Sequence, residues 1–458
     1  MATTYDALVI GSGTAGQTAA YELNRNGLQV GLVEHSPHPG GTCALSGCQA
    51  KKWFYEGTET VARARHLTGI GITSPAFGSW SQLRDAKNRF TSQVPSNTVN
   101  GLKRAGIDFI MGRARFVDRR RIKIDGRRIS ADFIVLATGA LPMKLPIDGA
   151  QLMTTSSEFL ELDRLPSRIV FIGGGFISFE FAHFAARLGP ADTQCTILEA
   201  NSRPLVPFDE EMVDLLVDAS AEAGIEVRTR VAATAIEKKG HVFTVSTQNN
   251  QQFEAELIVH GAGRAADIDG LDLGQADIET AKQGIIVNEK MQTTNARVYA
   301  VGDCAATVQL ARVADAEAQT AAANIVSTHQ GVAKPAFMDY SAVPAVLFTY
   351  PQYAMAGATE MALKDAGVAY EKSVAKNLSW PTYQRVGMTS AAYKLLVGKP
   401  NGQILGAHVL SDNATGLINA FTLAMHNQVS AKELYRQSVM TPYPSRESDI
   451  IYMLKPLL

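Results

Sequence analysis

Residues 5–34 read YDALVIGSGTAGQTAAYELNRNGLQVGLVE, and this stretch contains a strand, a glycine turn, a helix and a second strand. The apolar run YDALVI predicts a buried strand, the residues up to Asn26 have helical periodicity, and the second apolar run ends at Glu34. Three glycines match the pattern GxGxxG directly after the first strand: Gly11, Gly13 and Gly16. Such a turn lets a helix N-terminus approach a pyrophosphate, and the acid that ends the second strand can bind a ribose. We therefore predict a dinucleotide site that includes Ser12 and Glu34, although a lone GxGxxG also occurs as a purely structural turn.

A second unit of the same kind begins at residue 168, where RIVFIGGGFISFEFAHFAARLG precedes the strand QCTILE. The turn residues expected to contact a second dinucleotide are Gly173, Gly175 and Ile177. Ser178 stands where the third glycine is usual, and its small side chain still allows the helix to pack. Glu199 ends the next strand, where a carboxylate binds a 2′-hydroxyl and repels a 2′-phosphate. This favours NADH over NADPH, although Arg203 lies close enough in sequence to complicate the choice.

The composition is that of an ordinary globular protein with room for about three domains. The 458 residues are 46% apolar and carry a formal net charge of -1, so no global field favours nucleic acid or an anionic membrane. The N-terminus leads into a strand without a basic segment or a long apolar segment, and no apolar run reaches membrane-spanning length. Four cysteines are too few for a disulfide-stapled secreted scaffold. We predict a cytoplasmic protein that acts on a small molecule.

The rest of the chain divides by pattern. Residues 107–137 alternate short β-prone runs with basic turns, which predicts a small antiparallel meander that returns to a central sheet. From about residue 335 the runs AVPAVLFTYPQYAMAGA, YKLLVGK and QILGAHVLSD predict strands, and LINAFTLAMHNQ predicts a helix. This pattern predicts a separate C-terminal domain.

The segment GGTCALSGCQAKK, residues 40–52, places Cys43 and Cys48 five positions apart. A disulfide needs Cα atoms roughly 4.4 to 6.8 Å apart, so the segment would have to curl into a distorted helical turn. A cysteine at a helix N-terminus has a lowered thiolate pKa, which suits thiol exchange. Taken alone, the spacing fits a redox-active pair and two structural thiols equally well. The other two cysteines, Cys195 and Cys304, are expected to be packing residues.

The segment GGTCALSGCQAKK resembles the active-site segment of the flavoprotein disulfide reductases, the family of glutathione reductase, dihydrolipoamide dehydrogenase and mercuric reductase. LATGA at 136–140, GAGR at 261–264 and AVGDC at 300–304 continue the resemblance in the family's order. It implies an α/β fold with two Rossmann-like nucleotide-binding domains, for FAD and NAD, and an α+β C-terminal dimerisation domain. The implied division is an FAD domain at 1–147 and 265–334, an NAD(P) domain at 148–264 and an interface domain at 335–458.

The resemblance also implies roles for individual residues. Cys48 corresponds to the thiol nearest the flavin, which forms a charge-transfer complex, and Cys43 to the interchange thiol that attacks the substrate. Lys52 and Glu180 match a lysine and a glutamate that pair beside the flavin N5. Asp303 matches the acid that binds the flavin ribityl chain. Further expected cofactor contacts are Thr42, Lys52, Ala114, Thr138, Gly139 and Gly263.

The sequence departs from the family near its C-terminus, in TPYPSRESDI. Thiol-reducing members have a histidine where Tyr443 stands and a glutamate where Ser448 stands, while Glu447 lies one residue short. A tyrosine, with an ordinary pKa near ~10, is a poor proton shuttle at neutral pH. Mercuric reductase also has a tyrosine here, but it adds a C-terminal cysteine pair, and this chain has no cysteine after Cys304.

The sequence therefore predicts a homodimeric oxidoreductase that passes electrons from NADH through FAD to the Cys43–Cys48 disulfide and on to an acceptor. A small-molecule or protein disulfide is the expected acceptor, and no set of metal ligands is predicted. A metal ion remains an alternative because of Tyr443. Diaphorase or quinone-type activity, and a redox-sensing flavoprotein with little turnover, also remain open.

Overall fold

The computed structural model describes residues 3–458, so Met1 and Ala2 at the start of the predicted FAD domain lie outside the described residues. The α-helices, in chain order, are α1 (Thr14–Arg25), α2 (Gly41–Leu45), α3 (Cys48–His66), α4 (Trp80–Thr91), α5 (Val94–Arg104), α6 (Ser156–Phe159), α7 (Phe176–Leu188), α8 (Glu210–Glu222), α9 (Ala311–His329), α10 (Glu360–Asp365), α11 (Pro381–Gln384), α12 (Ala414–His426), α13 (Ala431–Ser438) and α14 (Ile450–Leu454). Among the described residues, no helix is both long and apolar enough to cross a membrane.

The strands, in chain order, are β1 (Thr3–Ile10), β2 (Val30–Glu34), β3 (Asp108–Met111), β4 (Ala114–Phe116), β5 (Arg121–Ile124), β6 (Arg127–Leu136), β7 (Ala140–Pro142), β8 (Arg168–Ile172), β9 (Gln194–Glu199), β10 (Ile225–Thr229), β11 (Ala233–Lys239), β12 (Val242–Thr247), β13 (Gln252–Ala255), β14 (Leu257–His260), β15 (Arg264–Ala266), β16 (Thr280–Ala281), β17 (Gly284–Ile285), β18 (Val298–Ala300), β19 (Ala345–Leu347), β20 (Gln352–Gly357), β21 (Tyr370–Ala375), β22 (Ala392–Gly398) and β23 (Ile404–Ser411).

The chain forms two compact units. The first contains the chain up to Lys52, Asp85–Met143 and Arg264–Asp339. The second contains Trp53–Arg84, Lys144–Gly263 and Tyr340–Leu458. The finer division into an FAD, an NAD(P) and an interface domain stays a prediction.

The first unit is built on one sheet with the order β3-β2-β1-β6-β5-β4, and β18 also pairs with β6. Strand β1 runs parallel to β2 and to β6, and all four internal residues Ala7 to Ile10 are buried, as the apolar run predicts. Strands β4, β5 and β6 form the predicted antiparallel meander. The prediction was wrong for β3, which pairs parallel with β2. A short apolar run has the same pattern at a parallel edge as in a meander, so sequence could not separate the two.

The second unit contains a parallel sheet with the order β10-β9-β8-β14 and a separate antiparallel sheet, β11-β12-β13. Its third large sheet is antiparallel, with the order β19-β20-β23-β22-β21, and α12 packs on it. The C-terminal strands and the helix predicted from residue 335 onward are therefore present. Strand β21, whose YEKSVA sequence is half charged or polar, was not predicted.

A buried lysine organises the charged residues of the second unit. Lys394, on β22, is only 2% exposed, and its Nζ lies 2.9 Å from Asp209 Oδ1, 2.6 Å from Glu360 Oε2 and 3.2 Å from Glu211 Oε2. Burial alone would raise the pKa of Glu360, but hydrogen bonds from Lys394, Lys372 and Tyr370 outweigh it and lower this pKa well below its ordinary value. The cluster ties the N-terminal end of α8 to the C-terminal antiparallel sheet.

We expect Lys394→Met to lower the free energy of unfolding by about 3 kcal/mol, because it leaves buried carboxylates without their cation. Urea unfolding followed by circular dichroism measures this. Lys364→Met is the matched control, since that lysine is 63% exposed and contacts the same Glu360 from the solvent side. An equal loss in both variants would contradict the special role of Lys394.

The same cluster makes the stability of the protein depend on pH. Because the folded-state pKa of Glu360 lies below its unfolded value near 4.5, its contribution to stability is present above that pH and is lost as the pH falls below it. Glu360→Gln should therefore lose less stability than the wild type between neutral and acidic pH. A parallel decline of the two proteins would contradict this.

Candidate functional site

The first glycine turn is shaped by close backbone contacts. Gly11 has φ +109°, and a Cβ at this position would lie 2.3 Å from the carbonyl oxygen of Ala137. Only glycine tolerates that conformation and that approach. The turn leads directly into α1 at Thr14, so the first N–H groups of this helix point out of the turn. The predicted positions Gly11, Ser12, Gly13 and Gly16 thus lie in this turn and the first turn of α1, and their contact with a pyrophosphate stays a prediction.

Glu34 lies beside this turn, at the end of β2. Its carboxylate is 8% exposed, and its Oε2 accepts hydrogen bonds from the Ser12 backbone N–H at 3.0 Å and the Ser12 hydroxyl at 2.6 Å. Its Oε1 accepts a further bond from the Ser36 backbone N–H at 2.7 Å. The acid is therefore held in a fixed orientation at the edge of the predicted nucleotide site.

The cysteine segment packs on the same turn. A Cβ on Gly41 would lie 2.4 Å from the Cα of Gly13, so the two backbones touch. Helix α2 contains Thr42 and Cys43, and helix α3 begins at Cys48. The segment thus curls between two helices, as the spacing requires if the cysteines are to meet.

The two cysteine side chains are in hydrogen-bond contact. Cys43 is half-buried, and Cys48 is exposed at the start of a 19-residue helix. The hydrogen bond to Cys48 is the largest cause that raises the pKa of Cys43, burial is the second, and the hydroxyl of Thr14 opposes them. The start of α3 at Cys48 favours a thiolate at that position, whereas the shared hydrogen bond and burial disfavour one at Cys43.

A group of residues from distant segments completes the first unit's site. Thr138 and Gly139 follow β6, and Asp303 lies in a short 3-10 helix after β18. Burial raises the pKa of Asp303, and the positive charge of Arg264 opposes that rise. The predicted contact Ala114 is buried on β4, and Lys52 lies half-buried on α3. Cys304, which is fully buried with Sγ 3.3 Å from the Leu136 carbonyl, is a packing residue.

The residues present in this unit fit the flavin nucleotide that the resemblance implies. Among the described residues, the buried hydroxyl of Thr307 finds no hydrogen-bond partner, and that of Thr138 contacts the Cys304 sulfur, a weak acceptor. Buried polar groups are normally satisfied, so these two hydroxyls favour a polar ligand nearby. Thr307 was not found from the sequence, because it lies just beyond the VGDC motif.

The second glycine turn lies in the second unit, between β8 and α7, and includes Gly173 and Gly175, while Ile177 lies in the first turn of α7. Ser178, in place of the third glycine, donates a hydrogen bond from its hydroxyl to the Gly173 carbonyl at 2.5 Å. Glu199 is 8% exposed and accepts a bond from the Gly174 backbone N–H at 2.7 Å. This repeats the arrangement of acid and turn seen in the first unit.

The remaining predicted site residues also lie in the second unit. Glu180, on α7, is 1% exposed and accepts a hydrogen bond from the Phe348 backbone N–H at 3.0 Å. Gly263 ends this part of the chain. Tyr443 is 77% exposed, in the loop before α14.

Comparison with known proteins agrees with this geometry. The family model for pyridine nucleotide-disulphide oxidoreductases matches residues 5–318, and the model for the dimerisation domain of the same family matches residues 343–449. The chain belongs to the pyridine nucleotide-disulphide oxidoreductase family. It is an FAD-dependent pyridine nucleotide-disulfide oxidoreductase, which confirms the predicted family, fold class and reaction type. The dimerisation-domain match supports a homodimer.

Individual relatives show the spread of the family. The chain is 32% identical to a mercuric reductase of Staphylococcus aureus over 94% of this chain and 78% of that protein. It is 30% identical to a glutathione reductase of Burkholderia cepacia over 92% of each. The HOCl-induced flavoprotein disulfide reductase RclA from Escherichia coli has the same fold, with a TM-score of 0.87 and 23% identity over 99% of this chain and 100% of that chain.

Arg264, the last residue of the GAGR motif, is a candidate site residue to which the sequence alone assigned no role. It begins β15 and donates a hydrogen bond from Nη2 to the carbonyl oxygen of Ala140. Burial lowers the pKa of Arg264, and the charges of Asp303 and Cys48 oppose that shift. A guanidinium therefore lies near both the predicted flavin acid and the exposed cysteine.

We expect Arg264→Met to raise the pKa of Cys48 by about one unit, because an adjacent cation favours the thiolate. The measurement is the pH dependence of iodoacetamide alkylation in a Cys43→Ser background, where Cys195 and Cys304 are buried. Arg264→Lys should largely retain the wild-type pKa. An unchanged pKa in the methionine variant would show that Arg264 does not act on Cys48.

Proposed function

We propose that this oxidoreductase transfers electrons from NADH to a disulfide acceptor, with Cys43 as the attacking thiol and Cys48 as the thiol on the flavin side. The hydrogen-bond contact between the two cysteine side chains, with Cys48 exposed at the start of α3, is the observation that carries the proposal. Lys52 and Glu180 are proposed to pair beside the flavin.

The residues proposed to hold FAD are Gly11, Ser12, Gly13, Gly16, Glu34, Thr42, Lys52, Ala114, Thr138, Gly139 and Asp303. When bound, FAD accepts a hydride from the nicotinamide and supplies two electrons to the cysteine disulfide. The chain positions this chemistry through the glycine turn, the acid at Glu34 and the buried hydroxyl of Thr138.

The reaction with the acceptor uses the two cysteines in turn. The Cys43 thiolate attacks one sulfur of the acceptor disulfide, which forms a mixed disulfide and releases the first acceptor thiolate. The Cys48 thiolate then attacks the Cys43 sulfur, which releases the second thiolate and closes the Cys43–Cys48 disulfide. Two protons complete the two product thiols, one that Cys43 releases when it becomes a thiolate and one from solvent, and the acceptor gains two electrons.

A cavity in the first unit supports an acceptor of this kind. It has a volume of about 270 Å³, lies between α1 and α9, and is lined by Thr18, Tyr21, Glu22, Arg25, Arg312, Asp315 and Gln319. Asp315 accepts a hydrogen bond from Thr18 at 2.7 Å, and its charge contributes to the raised pKa of Cys43. The cavity therefore offers charges of both signs to a polar disulfide, and one of these charges, on Asp315, acts electrostatically on the interchange thiol.

The proposed electron donor is NADH, held by Gly173, Gly175, Ile177, Glu199 and Gly263. The Glu199 carboxylate is fixed by the Asn201 backbone and side-chain N–H groups, both at 2.6 Å, at the position proposed for the ribose. Arg203 donates to the carbonyls of Val206 and Phe208, at 2.6 and 3.1 Å. The guanidinium of Arg203 is thus engaged by carbonyls of its own loop. We therefore propose that Glu199 determines the preference for NADH over NADPH.

We expect kcat/KM to be higher for NADH than for NADPH, and Glu199→Gln to shift their ratio towards NADPH by about tenfold, since the repulsion of a 2′-phosphate is lost. Steady-state kinetics with both nucleotides measures this. Arg203→Met is the control and should leave the ratio unchanged. A selective loss of NADPH activity in Arg203→Met would instead assign this arginine to a 2′-phosphate.

A metal ion is the second candidate acceptor. Tyr443 stands where thiol-reducing members of the family carry a histidine, and mercuric reductases are among the chain's relatives. A soft metal ion bound by the Cys43 and Cys48 thiolates would not need the proton shuttle that the histidine provides. In both cases Tyr443 is proposed to act on the acceptor side of the cysteine pair in a homodimer, and a cytoplasmic location remains a prediction.

Anaerobic reduction by dithionite should consume four electrons per subunit, two for FAD and two for the disulfide, and Cys43→Ser should consume two. Uptake of only two electrons by the wild type would rule out a functional disulfide.

NADH oxidation with disulfides, quinones and thiophilic metal ions then identifies the acceptor. Stimulation by a disulfide, lost in Cys43→Ser, is the expected result. NADH oxidation that is stimulated by metal ions and by no disulfide would instead identify a metal ion as the acceptor.

A further inference from the structure

The loop that carries Tyr443 is anchored by a buried arginine. Arg446 is 8% exposed, and its Nε and Nη2 donate to the two carboxylate oxygens of Asp412 at 2.7 and 3.0 Å. Its third nitrogen, Nη1, donates to the carbonyl of Thr382. The guanidinium carbon lies 4.1 Å from the centre of the Tyr383 ring. All three nitrogens and one face of the guanidinium are therefore used to fix its position.

Further hydrogen bonds fix the backbone on both sides of Arg446. Arg385 Nη2 donates to the carbonyl of Pro444, the residue after Tyr443, at 3.0 Å. Ser445 and Ser448 each accept a backbone N–H bond at their hydroxyls, at 3.1 Å, from the other residue. The exposed ring of Tyr443 thus projects from a backbone that is held immediately behind it.

Glu447 and Ser448 also help to hold the loop. Glu447 Oε1 accepts a hydrogen bond from Asn413 Nδ2 at 2.7 Å, at the N-terminal end of α12. The Ser448 hydroxyl, at the position of the family's glutamate, donates to the Ser445 carbonyl at 2.7 Å. Arg446 adds the contact of two nitrogens with two carboxylate oxygens, which fixes direction as well as distance.

Asp412 also connects this anchor to the C-terminal part of α3, which belongs to the same unit. Arg63 Nη2 lies 3.4 Å from Asp412 Oδ2 and donates to the Asp412 carbonyl at 3.0 Å. The loop with Tyr443 and this part of α3 are thus attached to the same residue, Asp412.

A buried ion pair is a weak source of stability, because desolvation of both charges offsets their attraction. A bidentate pair between a planar guanidinium and a carboxylate does, however, fix direction as well as distance. We propose that Arg446 is a positioning residue, which holds Tyr443 in the orientation needed on the acceptor side of the cysteine pair. This inference rests on the role proposed above for Tyr443 and adds what sets the position of that side chain.

Rapid-mixing kinetics under anaerobic conditions can test this, with the two half-reactions measured separately. The first is reduction of the holoenzyme by NADH, and the second is reoxidation of the reduced holoenzyme by 5,5′-dithiobis(2-nitrobenzoic acid), a model disulfide. We expect Arg446→Met to slow reoxidation about tenfold and to leave the NADH step within about twofold, because only the acceptor side is disturbed. Arg436→Met, an exposed arginine on α13, is the matched control and should leave both rates unchanged.

Two further variants separate positioning from general damage. Tyr443→Phe should also slow reoxidation, and the double variant Tyr443→Phe/Arg446→Met should be no slower than the slower single variant, since both act through the same hydroxyl. Arg446→Lys, which keeps the charge but loses the bidentate geometry, should give an intermediate rate. If Arg446→Met folds poorly by circular dichroism, Asp412→Asn takes its place, because it weakens the same pair and retains the shape.

Three results would overturn the inference. The first is a folded Arg446→Met variant that reoxidises at the wild-type rate, and the second is equal slowing of both half-reactions in this variant. The third is a double variant whose reoxidation is slowed by the product of the two single-variant factors. The result for Tyr443→Phe separates this inference from the proposed function. If Tyr443→Phe slows reoxidation and Arg446→Met does not, Tyr443 keeps its role and Arg446 loses it. If Tyr443→Phe reoxidises at the wild-type rate, the proposed role of Tyr443 fails and the inference fails with it.

Discussion

The backbone contact between Gly13 and Gly41 is the constraint on which the catalytic region depends. It brings the first glycine turn, the proposed nucleotide site, and the cysteine segment so close together that a single Cβ would separate them. Because α1 begins just after one side of this contact and α2 at the other, the position of the cysteines follows from the position of the turn. A pyrophosphate held by the turn and a thiol held by the segment are thereby fixed relative to one another without any long side chain between them.

Charge then distinguishes the two cysteines. Cys48 has the N-terminus of a long helix and the guanidinium of Arg264 in its surroundings, whereas Cys43 is half-buried and has the carboxylate of Asp315 in its surroundings. These surroundings favour the thiolate form more at Cys48 than at Cys43, although the two side chains are chemically identical. The asymmetry comes from the fold and not from the residues themselves.

Motifs with a fixed local geometry could be predicted from the sequence. The two glycine turns, the acids Glu34 and Glu199 and the curled cysteine segment are all specified within about 30 residues of chain, so pattern and spacing were sufficient. Arg264 and Arg446 could not be assigned, because their partners, Ala140 and Asp412, are brought to them only by tertiary structure. The pairing of β3 was predicted wrongly for the same reason, because an apolar run predicts a strand but does not determine which neighbouring strand it pairs with.

The distribution of the cysteines also determines how the protein responds to oxidants. Cys195 and Cys304 are buried, and burial raises the pKa of both thiols, so neither offers a thiolate to a peroxide or a hypohalous acid. Oxidation is thereby directed to the pair at residues 43 and 48. There, a sulfenic acid on one sulfur has the other thiol within hydrogen-bond distance, and the two condense to a disulfide with loss of water before further oxidation to the irreversible acids. The form produced by such damage is the oxidised form of the proposed catalytic cycle, so the next reduction of the enzyme also repairs it.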